Sequence, residues 1–317
     1  MSLQRFILKR ILVSIPLLIG VSIITFALVH LTPGDPVDQL LALNPDAGQA
    51  EQERLRDSLG LGEPVYIQYF VWITNVLTGD FGILFATGED VSTIVIRRLP
   101  ETIALGIFGW VFAMAIAVPT GIYAAVNKDQ FADDVSRFVA LFGISVPNFW
   151  LGLMLILVFA IWIDGWSTLP PDRELYHPEM LWHLILPGIT IGTAASAVLM
   201  RIMRSSMAEE LNKEYVMAAR AKGLPERTVI LKHVLRNSLI SVTTVAAFLT
   251  AGIVSGSVVV EVVFAWPGLG REFIGAISDR EINMIMAITL FTGTALILAN
   301  LLADIMYAFL DPRIRYD

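Results

Sequence analysis

Apolar positions in the 317-residue chain gather into long uncharged runs rather than into short alternating ones. Six stretches contain no Asp, Glu, Lys or Arg: 11–30, 102–126, 138–163, 180–200, 238–260 and 282–303. A bilayer core about 30 Å thick is crossed by about 20 helical residues rising 1.5 Å each. A charge at a span centre costs about 2.5–3.5 kcal/mol on insertion scales, so uncharged runs of this length are a strong signal. The pattern predicts an all-α membrane protein with six transmembrane helices. No small-x-small cleavage site follows the first run, which reads as a span that is retained. A seventh uncharged stretch, 65–79, is too short to cross. Its Tyr66, Tyr69, Phe70 and Trp72 suit either an interfacial helix or the core of a small outer subdomain.

The basic residues orient the spans, because cytoplasmic loops are enriched in Lys and Arg. With the N-terminus inside, the inner segments 1–10, 127–137, 201–237 and 304–317 hold 15 of the 22 basic residues, including every lysine. Counting 65–79 as a span would place the loop 201–237, with its eight basic residues, outside. The expected organisation is an N-terminal segment and first span (1–31), a large extracytoplasmic loop subdomain (32–101), and a five-helix core (102–317). A cytoplasmic loop at 201–237 projects from that core.

Composition adds mainly exclusions. The chain is 56% hydrophobic and 16% charged, against about 45–50% and about 25% for soluble domains. Absence of cysteine removes disulfides, thiolate metal sites and cysteine nucleophiles. The net charge of −7, with no basic stripe, speaks against a nucleic-acid partner. His30, His177, His183 and His233 are scattered without metal-ligand spacing, so no metal site is expected. The dipeptide Gly-Lys is absent, so this chain has no P-loop and cannot itself hydrolyse ATP by that route. Ser255, Gly256 and Ser257 invite an intramembrane serine-hydrolase reading, but no histidine base follows His233. An ion-gradient-driven secondary transporter is the other alternative. It would be expected to carry ionisable groups near the midplane, where these spans have none.

The loop 201–237 carries the most information. Residues 209–222 are good helix formers. Gly223 sits where a helix ends in a left-handed residue, and Pro225 suits the first turn of a second helix. Ala218 and Ala219 leave a small surface that another protein's groove can approach. Two readings stand: a docking element, or a basic connector that only fixes topology. Gly188, Gly192 and Ser196 form a small-residue ridge on the fourth span, and Gly252 and Gly256 another on the fifth. Each reads as helix packing or as pathway lining. Glu261 and Asp304 lie at span ends and suggest structural roles at a hydrated interface. In the last outer loop, Pro267, Gly268 and Gly270 demand a turn. Phe264 and Trp266 suit either an amphipathic stub dipping towards the membrane or a plain interfacial turn.

The run EYVMAARAKGL (214–224) resembles the EAA loop of importer-type ABC permeases. It is closest to the B-type membrane subunits of the dipeptide and oligopeptide family, which also includes glutathione and nickel permeases. Ala218, Ala219 and Gly223 match the E-A-A-x-x-x-G pattern, and Met217 stands in place of its Glu. Further resemblances follow in order: IPLLIGVS (15–22), TPGDP (32–36), GDFG (79–82), RLPET (98–102), SVPNFWLG (145–152), FAWPGLGR (264–271) and LDPRIRY (310–316). Leu84 and Asp90 depart from the residues common there, Ser and Pro. The resemblance implies a type I ABC importer permease fold with both termini cytoplasmic. It implies as partners a second homologous permease, two ATP-binding-cassette ATPase subunits and an extracytoplasmic solute-binding protein, assembled in a lipid bilayer. ATP and Mg²⁺ would lie on the ATPases, with no cofactor bound by this chain. Glu214, Tyr215, Met217, Ala218, Ala219, Arg220, Lys222, Gly223, Leu224 and Pro225 would form the ATPase-docking coupling loop. Trp266, Pro267, Gly268 and Gly270 would face the outer mouth on the binding-protein side.

Overall fold

A computed structural model of the chain describes residues 3–31, 62–163, 170, 175 and 177–310. The expected motifs at 32–36 and 311–316, the part 32–61 of the outer loop and much of 164–176 lie outside the described residues. The described chain is helical apart from one isolated bridge, Ile83 with Asp90. The helices are α1 (Leu3–Leu31), α2 (Val65–Thr78), α3 (Val91–Val126), α4 (Phe131–Ser145), α5 (Asn148–Trp162), α6 (Pro178–His183), α7 (Ile185–Glu210) and α8 (Glu214–Ala221). A short helical turn, Glu226–Thr228, then passes through a π segment, Val229–Val234, into α9 (Leu235–Val263). The helices α10 (Leu269–Asp279) and α11 (Ile282–Leu310) complete the described order.

Among the described residues, four helices are long and apolar enough to cross a membrane, and a fifth crossing is reached if the bent pair α4–α5 is one span. That pair differs from the expectation of one continuous third span. The two helices meet at 103°. Proline disfavours helical backbone in the residue before it. Accordingly Val146 is extended (φ −80°, ψ 123°), and Pro147 becomes the cap of α5. The expected fifth run, 238–260, lies inside α9.

Burial orders the bundle. About 67% of the apolar window of α7 is buried, against 17% for α1 and for α11, so α7 is the central helix and the other two present apolar sides outward. The approach of α3 to α7 is close because glycine faces glycine. A side-chain carbon on Gly192 would sit 2.5 Å from the Gly109 carbonyl oxygen, and one on Gly188 would sit 2.1 Å from the Phe108 ring.

With 36 residues, α3 is about 54 Å long, well beyond the roughly 30 Å hydrocarbon core. It runs unbroken through the subdomain boundary expected at 101/102. Asp90 starts it, accepting from the Ser92 amide at 3.3 Å and from the hydroxyls of Ser92 and Thr93. Its first turns bury Val91, Ile94 and Val95 against Leu269, Ala276, Met284 and Ile288, which joins the end of the outer loop to α10 and α11. Glu281 completes that junction by accepting from the amides of Phe85 and Ala86, each at 2.8 Å.

The stretch 65–79 forms α2 and buries none of its residues fully. It lies along the second half of α1. Tyr69 Oη and Ser22 Oγ share a 2.9 Å hydrogen bond, Gln68 meets His30, and Phe26 packs on Tyr69 and Trp72.

Candidate docking loop and outer turn

The predicted helix, turn and helix at 214–228 is present, with a definite inner and outer face. Val216 and Ala219 of α8 are buried with Val229 in the chain's own core. Ala219 is thus an anchor of α8, directed into the chain's own core. Glu214, Met217, Ala218 and Lys222 share the exposed face with Gly223, Leu224 and Pro225. The turn is a Schellman motif: the Gly223 amide donates to Arg220 O at 2.9 Å and the Leu224 amide to Ala219 O at 3.4 Å. Gly223 has φ +76°, a conformation strained for residues with a side chain. Pro225 stands one place earlier than expected, as the cap of the turn Glu226–Thr228.

Side chains brace this knob. Arg220 Nη2 donates to Glu226 Oε1 at 2.6 Å across the turn. That hydrogen bond holds the Glu226 carboxyl below its ordinary value and the Arg220 guanidinium above its own. Tyr215 donates to Glu210 at 2.6 Å and accepts from Asn237 at 3.0 Å, which ties α8 to α7 and α9. Lys213 donates to Glu210 as well. The π segment Val229–Val234 follows directly, with Val229 and Val234 fully buried.

The outer turn is an internal joint in this chain. Trp266 is completely buried, and its Nε1 donates to Glu101 O at 3.0 Å. Gly268 and Gly270 are buried, and Pro267 is half-buried. The joint turns on Glu261, which is fully buried rather than set in a hydrated interface. Its carboxylate accepts from Thr102 Oγ1 at 3.0 Å, the Gly270 amide at 2.6 Å and the Arg271 amide at 3.2 Å. The Leu269 amide donates to Thr102 Oγ1 at 2.8 Å. Glu261 and Thr102 together satisfy the first amides of α10, which a helix N-terminus leaves without partners. Glycine is required there: a side-chain carbon at Gly268 would lie 2.5 Å from Glu261 Oε2, and one at Gly270 would lie 2.6 Å from Val258 Cα.

The two small-residue ridges divide. Gly188, Gly192 and Ser196 are buried, and the two glycines belong to the α3–α7 contact. Gly252 is exposed, and a side-chain carbon there would meet nothing within 4 Å among the described residues. The surroundings of Gly256 lie outside the described residues. A cavity of about 770 Å³ opens between α1, α3, α9 and α11. It is walled mainly by apolar side chains with Thr25, Thr102, Thr243, Thr250 and Ser257 among them, and the described residues Gly188, Gly192, Ser196 and Gly252 do not line it. Thr243 and Thr250 turn their hydroxyls back to the carbonyls of Leu239 and Ala246, so they offer the cavity mostly methyl groups. Among the described residues no cluster of His, Cys, Asp or Glu is arranged to hold a metal ion.

Residues 117–316 match the family described as binding-protein-dependent transport system inner membrane component, and residues 3–106 match the N-terminal model of binding-protein-dependent transport system membrane components. This chain belongs to that family. Its relatives place it among the dipeptide and oligopeptide permeases. It is 38% identical over 320 residues to the oligopeptide transport system permease protein AppB of Bacillus subtilis (strain 168), covering 99% of this chain and 100% of that protein. The dipeptide transport system permease protein DppB of Alkalihalophilus pseudofirmus is 36% identical, with 98% and 99% covered. The glutathione transport system permease protein GsiC of Escherichia coli (strain K12) is 38% identical, again with 98% and 99% covered. In fold, the permease is similar to a chain of the inward-facing MetNI methionine ABC transporter (TM-score 0.55, 18% identity, 69% of this chain and 96% of that one). An amino acid ABC transporter gives a TM-score of 0.52 at 13% identity, with 69% and 94% covered. The permease is therefore a multi-pass protein of the cell membrane.

Sequence reasoning passed over several residues that the fold brings together. Asp133, Arg137 and Arg204 count in the sequence only as loop charges, yet the two arginines close over the buried carboxylate of Asp133. The i, i+4 spacing of Asp133 and Arg137 was the one local signal available.

Proposed function

We propose that this permease is the membrane-spanning subunit of an ATP-binding-cassette importer. In this reading it crosses the membrane six times with both termini cytoplasmic, α4 and α5 forming one broken crossing. With a second homologous permease it encloses a pathway for peptides or similar small solutes. Two ATPase subunits dock inside, holding ATP and Mg²⁺, and a solute-binding protein delivers from outside. The names of the relatives, which cover oligopeptide, dipeptide and glutathione transport, support the solute class.

The observation that carries the reading is the braced knob at 214–226. It presents Glu214, Met217, Ala218, Lys222, Gly223 and Leu224 outward while Val216 and Ala219 root it in the bundle. It also lies in the expected inner segment that holds the most basic residues. A rigid surface at the end of long helices, with Ala218 and Gly223 leaving room for close approach, suits the transmission of force from a partner.

Copurification of the ATPase subunits tests it. Ala218→Glu places a charge in the docking contact, and burying an unpaired charge costs several kcal/mol. Gly223→Val strains the turn at positive φ. Both variants are expected to reach the membrane at normal levels, lose ATPase association and lose transport. Lys9→Gln, at an exposed position of α1 outside the knob, is expected to keep both. If Ala218→Glu and Gly223→Val retain the ATPases and transport, the loop is only a connector.

A further inference from the structure

The inner edge of the bundle carries a second joint. Asp133 lies in the first turn of α4, and its side chain is fully buried. Arg204 of α7 grips it with both prongs: Nε donates to Oδ1, and Nη2 donates to Oδ2 at 2.6 Å. Arg137 Nη2 adds a third bond to Oδ2 at 2.7 Å, and the Asp129 amide a fourth at 3.0 Å. Asp129 is held in the left-handed region (φ +62°), so the short inner loop is itself shaped around this carboxylate.

A two-pronged guanidinium–carboxylate pair fixes orientation as well as distance. Here it fixes the start of α4 against the last turns of α7. Close packing extends the joint in two directions. A side-chain carbon on Gly143 of α4 would lie 3.0 Å from Ala197 Cβ on α7, and one on Gly121 of α3 would lie 2.6 Å from Met203 Cβ on α7. Further along, α7 ends at Glu210, which Lys213 and Tyr215 bind to the root of α8. Displacement of α8 therefore has a continuous, braced route through the end of α7 to the short inner loop and α4.

We propose that Asp133 and Arg204 are positioning residues that lock the short inner loop to the stalk of the docking loop, so that both inner segments move as one lever. The proposal rests on the importer reading above and adds to it a second moving part, with the residues that join it.

The absence of native cysteine allows paired spin labels at Lys128→Cys and Arg227→Cys, in the complex assembled with cysteine-free partners. Double electron–electron resonance is recorded without nucleotide and with trapped ATP, alongside ATP-driven solute uptake. In the otherwise wild-type chain one distance is expected, unchanged by ATP. In Arg204→Gln the distance is expected to change or broaden on ATP binding, and solute moved per ATP hydrolysed to fall about tenfold, within the range by which coupling networks are modulated. ATPase association is expected to persist. Arg204→Lys keeps the charge and loses the fork, so it is expected to show the same uncoupling with normal membrane levels. A wild-type distance that changes with ATP, or Arg204 variants that keep their transport per ATP, would overturn the lock alone. Absence of ATP-driven uptake in the wild type would overturn the importer reading and the lock with it.

Discussion

At the residue scale, much of the design consists of buried carboxylates placed where backbone amides lack partners. Glu261 is the clearest case. It ends an uncharged run, so sequence places it at a hydrated boundary. Its burial depends on Thr102, which is distant in sequence, and on the turn that folds the start of α10 back over it. Gly268→Ala and Gly270→Ala push a methyl group into that contact and are expected to destabilise the protein by about 1–3 kcal/mol. The check is a lowered midpoint of thermal unfolding in detergent for both variants. An unchanged midpoint would mean that the joint yields. The Arg220–Glu226 clasp gives a pH prediction with a definite sign. Its hydrogen bond lowers the Glu226 carboxyl from the ordinary 4.5, so the contribution of the clasp is present above that value and is lost as pH falls through the lowered one. A spin label at Leu224→Cys is expected to keep its mobility from pH 8 to pH 5 and to loosen at lower pH. In Glu226→Gln it is expected to be loose throughout. A pH step of the same size in Glu226→Gln would assign the effect to another group.

At the element scale, uncharged length was legible because it is set by the bilayer, and five of the expected runs fall inside helices or a near-continuous helix pair. The break within 138–163 was written in Pro147, but its angle was not, because the angle depends on how α4 and α5 each pack on α7. The two glycine ridges show the same limit. Small residues at helical spacing look alike in sequence, and only the neighbour decides their role. Gly192→Ala brings a methyl group against the Gly109 carbonyl, which cannot swing aside as a side chain can. It is expected to destabilise the α3–α7 contact by about 1–3 kcal/mol. Gly252→Ala meets open space and is expected to be neutral or to stabilise α9 by about 0.5–1 kcal/mol. Thermal unfolding of the two variants side by side checks this, and equal effects would contradict it. The docking loop was legible as an element, since Gly223 and Pro225 punctuate it. The inward direction of Ala219 was not, because it follows from the contact of α8 with Val229.

At the scale of the whole molecule, the outer end of α3, α10 and the start of α11 form one cap, and α4, α7 and α8 form one inner assembly. The long helix α3 joins the two, with its first turns in the cap and Gly121 near its other end packed on Met203 of α7. The charge asymmetry on which the proposed orientation rests was readable from sequence. The joints at Glu261 and Asp133 were not, because each links residues far apart in the chain. Orientation is checked by single cysteines at exposed positions: Asp279→Cys is expected to react with an impermeant maleimide in intact cells, and Lys222→Cys only after lysis. The central claim is that ATP hydrolysed by partners drives solute through this permease, and uptake in proteoliposomes tests it most directly. The full complex is reconstituted with its solute-binding protein outside, ATP inside and ionophores present to collapse all ion gradients. Peptide is expected to accumulate in the lumen with ATP and not with a non-hydrolysable analogue. Uptake that needs an ion gradient and ignores ATP would contradict the account.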